Sequence, residues 1–83
     1  MMNKGDDKER NIKNWIEAAK LAKEYNRQTS FGVAVQAEVD DGSFFVIVFD
    51  KNTKQPYAGG IPAKEEDLKA LENLGVLVEK MRA

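Results

Sequence analysis

The feature that most constrains this chain is the six-residue apolar run at positions 44–49, Phe-Phe-Val-Ile-Val-Phe, two residues after Asp40-Asp41-Gly42. Six residues is strand length and far below the ~20 a membrane-spanning helix needs. An Asp-Gly pair between β-prone segments marks a hairpin, because Gly supplies the positive φ of the turn. The run has no polar side, so the strand it forms is central or covered on both faces.

The segment before the turn, residues 30–39, alternates. Phe31, Val33, Val35, Ala37 and Val39 fall on one side, with Gly32, Ala34, Gln36 and Glu38 on the other, the pattern of a half-buried strand. A two-residue loop at Asp41-Gly42 pairs Val39 with Phe44 and leaves Phe45, Ile47 and Phe49 on the second face. A three-residue loop with Gly42 in a bulge swaps the strand faces and leaves Phe44, Val46 and Val48 there. In both registers three large apolar side chains remain on a face that two helices on the other side do not cover. Apolar bands of that size mark interfaces.

Around this hairpin the chain reads as helix, hairpin, edge strand, helix. Residues 7–26 carry Ile12, Trp15, Ile16, Ala19, Ala22 and Tyr25 at three- and four-residue steps, an amphipathic helix capped by Asp6 or Asp7, with its aromatics in the core. After a polar loop at 50–54, residues 55–61 form a third strand. Pro56 confines it to an edge, and Gly59 and Gly60 end it. Pro62 opens a second helix, with Glu65, Glu66 and Asp67 as its solvated first turn and Leu68, Leu71 and Leu74 as its buried stripe. Gly75 after Leu74 stops that helix, and residues 76–78 form a short terminal strand, although Leu71, Leu74, Val78 and Met81 also keep helical spacing. The fold class is therefore α+β: a small two-layer α-β-β-β-α domain over 7–83, its antiparallel sheet with helices mainly on one face and a short C-terminal strand after Gly75. Residues 1–6 are read as a flexible tail.

At 83 residues the chain has room for one core, and it would gain stability from a second copy. It contains no Cys and no His, which removes disulfides, thiol chemistry, the Ser-His triad and the usual zinc ligands. The chain is read as non-enzymatic, with no cofactor and no metal. Adjacent Asp40 and Asp41 point apart and serve the turn. Gly59-Gly60 before a helix superficially suits an anion, yet the three acids that follow repel phosphate. With 13 basic and 14 acidic side chains, the formal net charge is −1, which offers nothing to nucleic acid or an anionic membrane. The polar N-terminus has no secretory pattern, so the protein is read as cytoplasmic.

The order of elements resembles that of double-stranded RNA-binding domains at the level of architecture. That resemblance implies a lysine cluster opening the last helix. Here the stretch reads Pro62-Ala63-Lys64-Glu65-Glu66-Asp67 and is net acidic. RNA binding is therefore an alternative that charge disfavours. The leading expectation is a protein-binding domain, an inhibitor or adaptor of the kind phages and other mobile elements carry, working as a homodimer through the surplus face. Its contact residues are Phe45, Ile47 and Phe49, with Gln36, Glu38, Tyr57, Gly59 and Gly60 around them. A second alternative is an oligomer that sequesters a small molecule or nucleotide between subunits.

Overall fold

In a computed structural model that describes residues 10–39 and 41–80, the elements run α1 (Ile12–Glu24), β1 (Phe31–Glu38), β2 (Ser43–Asp50), β3 (Pro56–Lys64), α2 (Glu65–Asn73) and β4 (Leu77–Lys80). The strands form one sheet in the order β3-β2-β1-β4. The first three are antiparallel neighbours, and β4 joins β1 in parallel, so the sheet is mixed. The α+β reading holds and a terminal strand is present, but it spans Leu77–Lys80 instead of 76–78, and its parallel pairing replaces the wholly antiparallel sheet expected. The apolar run occupies the central strand β2, as its lack of a polar side requires.

Both helices lie on one face of the sheet. Ile12, Ile16 and Ala19 of α1 and Leu68 and Leu71 of α2 are buried with Phe31, Val33, Val35, Val46, Val48, Ile61 and Ala63 from three strands. Val33, Val46, Val48, Ile61 and Leu71 are wholly inaccessible to solvent. Burying each such side chain contributes about 1.5–3 kcal/mol.

Local chemistry sets the boundaries. Helix α1 begins later than position 7, since Arg10 is in a turn and Asn11 is extended, its side chain accepting the Lys13 N–H at 2.9 Å. Asp6 and Asp7, expected as caps, lie outside the described residues, as does the expected tail. At its other end Arg27 N–H reaches the Ala22 carbonyl at 2.7 Å, with Asn26 in the left-handed region at φ 60°. Helix α2 ends in the same way. Val76 N–H donates to Leu71 O at 2.9 Å and Gly75 N–H to Glu72 O at 3.0 Å, with Gly75 at φ 87°. This closure buries Val76 and turns the chain back along β1.

Strand β3 departs from expectation. It runs through Gly59, Gly60 and Pro62, and α2 starts only at Glu65. Between its pairings Val48↔Ala58 and Val46↔Ile61 there is one extra residue, and another lies between Phe49↔Pro56 and Val48↔Ala58. Gly60 takes φ 63° at the first of these bulges. The glycines bend the strand instead of ending it, and Pro62 is tolerated because β3 is an edge.

Candidate functional site

The first hairpin settles which side chains face away from the helices. Val39 N–H donates to Ser43 O at 2.7 Å and Gly42 N–H to Val39 O at 3.0 Å, closing a three-residue loop. Asp41 accepts both the backbone N–H and the hydroxyl of Ser43, which holds its carboxyl below the usual range. That loop alone would have exchanged the faces. A bulge in β1 between Val35 and Ala37 adds one residue and restores the parity, so Val33 lies opposite Val48 and Val35 opposite Val46 under the helices. Phe45, Ile47 and Phe49 are therefore the set on the open face. Ala37, expected on the helix side, pairs with Phe45 on the open one.

Three rows cross that face. The first is Leu77, Gly32, Phe49 and Pro56, and the second is Glu79, Ala34 and Ile47. Gly59 closes the second row, since a Cβ there would lie 3.7 Å from the Ile47 side chain. The third row is Ala37, Phe45 and Pro62. Phe45 is 41 % exposed and Leu77 40 %, while Ile47 is half-buried. Phe49 is not exposed as expected. Its ring lies over Gly32, and the Lys54 ammonium sits 5.5 Å from its centroid. The usable apolar surface is thus Phe45, Ile47 and Leu77, with small residues between them.

The polar groups on this face are few and placed at its margins. Arg10 lines a shallow hollow with Gln36, Ala37, Phe45 and Gly60, its guanidinium 3.9 Å from where a Cβ on Gly60 would be. Glu79 stands at the opposite margin, on β4. The face therefore carries a cation on its β3 side and a carboxylate on its β4 side.

Two expected contact residues lie elsewhere. Tyr57, turned by its bulge, stacks on Trp15 of α1 with ring centroids 5.8 Å apart, and its hydroxyl donates to Asp50 at 2.9 Å. That bond raises the Tyr57 pKa, while the Thr53 and Asn52 amides together with Tyr57 lower that of Asp50. Glu38 pairs with Phe44, which packs against the core from the helix side. Gln36, Gly59 and Gly60 do border the open face. Leu77, Pro62 and Arg10 were missed, because the parallel pairing of β4 and the extension of β3 leave no local signal.

On the helix side Asp67 is not the solvated residue expected of a first turn. It is buried, accepting Lys64 N–H at 2.9 Å and Lys13 Nζ at 2.7 Å. Burial pushes its carboxyl up, but the Lys13 hydrogen bond and the Lys64 amide outweigh this and hold it below the usual range. Lys13 is raised in turn by the hydrogen bond to Asp67. This pair ties α1 to the start of α2 and is structural. Tyr25, assigned to the core by its spacing, is 70 % exposed.

Among the described residues no helix is long and apolar enough to cross a membrane, and no three His, Cys, Asp or Glu side chains are grouped to hold a metal ion. Comparisons of the chain with protein-family models, with curated proteins and with solved structures found no match.

Proposed function

We propose that this is a protein-binding domain, an adaptor or inhibitor, whose open sheet face is its contact surface and whose first partner is a second copy of itself. The observation that carries the reading is the three-row face, in which Phe45, Ile47 and Leu77 stand among Gly32, Ala34, Ala37 and Gly59 with neither of the described helices over them. Water against such a surface is costly at ~25 cal/mol per Å² of apolar area, and a packed sheet removes it.

Charge supports a copy of the same chain as the partner. Two sheets packed face to face keep their strands within about 30° of each other. A two-fold axis between the faces and along the strands sets β3 of one copy over β4 of the other. That arrangement brings Arg10 toward Glu79 of the second copy, twice, around an apolar centre. Edge-to-edge pairing is less favoured, since β3 is interrupted by Pro56, Pro62 and two bulges and the other edge, β4, is only four residues long. Cytoplasmic location and the absence of catalysis belong to the same proposal. A sequestering oligomer is the second reading, the hollow beside Arg10 and Gln36 being its pocket.

The test is the solution mass of the wild-type chain beside that of Phe45→Asp. A dimer that becomes a folded monomer supports the proposal. A wild-type monomer at all concentrations, binding no hydrophobic dye, removes both readings.

A further inference from the structure

Helix α1 carries more apolar surface than the core uses. Its inward stripe is Ile12, Ile16 and Ala19, and the flank toward α2 is polar, with Lys13, Glu17, Lys20 and Glu24. On the other flank a second stripe runs through Trp15, Ala18, Leu21, Ala22 and Tyr25. Leu21 is 49 % exposed and Tyr25 more so, while Trp15 is anchored edge-on against Phe31 at 5.0 Å. Together with the wall formed by residues 27–31, this stripe makes an open groove of about 380 Å³.

The groove continues past Arg27 into a second depression, bordered by Lys23, Arg27 and Lys51. No carboxylate lines either part. Among the described residues the one ion pair is Lys13–Asp67, so none of these three cations is in an ion pair with a described carboxylate. The helix C-terminus accounts for Lys23 and Arg27, but Lys51 comes from the loop after β2 and owes nothing to that dipole.

We infer that this groove binds an acidic segment of another protein, with a large aliphatic or aromatic side chain seated against Trp15, Leu21 and Tyr25 and its carboxylates on Arg27, Lys51 and Lys23. The apolar part supplies the affinity. The cations select the partner's sign and raise the rate of encounter. Single-stranded nucleic acid would also offer rings and charge, but three cations on a chain of net charge −1 make no continuous track for a phosphate backbone. The groove lies on the helix side, so it remains available when the sheet face is occupied.

Trp15 is the chain's single tryptophan, and its emission reports on the groove directly. The probes are a ten-residue synthetic peptide of Glu and Asp with one Leu and one Phe, the same peptide with Lys in place of its acids, a ten-residue polyglutamate and a ten-nucleotide oligothymidine. The acidic apolar peptide should change Trp15 emission saturably. Its binding should weaken with salt, and by about ten-fold in each of Arg27→Glu, Lys51→Glu and Leu21→Asp. Leu21 and Arg27 are exposed and Lys51 half-buried, and unchanged melting of the variants separates lost binding from lost fold. No response to the acidic apolar peptide overturns the inference. So does an equal response to the Lys peptide, to polyglutamate or to oligothymidine, and so does binding unaffected by all three substitutions.

Discussion

The ring of Phe49 lies so close over Gly32 that a Cβ at position 32 would stand 2.8 Å from the ring's Cζ. The two residues are cross-strand partners on the open face. The missing side chain lets the aromatic ring lie down and become buried on a face where Phe45 stays exposed. Lys54 closes it from the loop side. Gly32→Ala should therefore force the ring off its seat and destabilise the domain by about 1–3 kcal/mol, measured by urea unfolding. Gly32→Ala combined with Phe49→Leu should cost less than the two single changes added together. Strict additivity would show that the two residues do not share that space.

The Lys13–Asp67 pair gives the fold an acid limb. Asp67 has its carboxyl lowered in the folded state, so its contribution is fully present above the unfolded value of about 3.9 and is lost as pH falls through the lower folded value. Asp67→Asn keeps an acceptor for Lys64 N–H but loses the ion pair. It should lower stability at pH 7 by ~1 kcal/mol and flatten the stability profile below pH 4. An Asp67→Asn profile parallel to the wild-type one down to pH 2 would contradict this account.

Gly75 closes α2 at φ 87°, and nothing lies within 4 Å of where a Cβ on it would stand, so crowding by neighbours plays no part. Gly75→Ala should cost about 1 kcal/mol from backbone strain alone. Because the same turn delivers β4, hydrogen exchange at residues 77–80 should quicken more than exchange in β2. Uniform quickening would show that β4 is not separately dependent on the turn.

Tyr57 belongs to the helix side through Trp15 and Asp50. In a Tyr25→Phe background its absorbance titration should have a midpoint above 10, and Asp50→Asn should lower that midpoint. An unchanged midpoint would mean that the hydrogen bond does not persist in solution.

Much of this arrangement was legible in residue patterns with a local cause. The unbroken apolar run marked β2 as central, Pro56 marked β3 as an edge, and Leu74-Gly75-Val76 favoured a helix stop followed by a strand, against the helical spacing that Leu71, Leu74, Val78 and Met81 also keep. What escaped was non-local. The bulge at Gln36 decides which face each β1 residue takes, yet one extra residue between two registers leaves no trace in an alternating pattern. Tyr57 has strand spacing and turns to the helix side because of a bulge beside it. Tyr25 has core spacing on α1, but no described strand or helix covers it and it stays exposed. Asp67 looked like one of three solvated acids, and only the approach of Lys13 from 54 residues earlier makes it a buried anchor. The surplus face itself was legible because the surplus survives either register.

The most direct test of the central claim is mass by analytical ultracentrifugation across a concentration series, for the wild-type chain, Arg10→Glu, Glu79→Arg and the double variant. Pairing of sheet faces about an axis along the strands predicts a wild-type dimer, weaker association in each single variant through like-charge contact, and recovery in the double variant, where the two charges have changed places. A dimer indifferent to both single substitutions, or a wild-type monomer throughout, would contradict it.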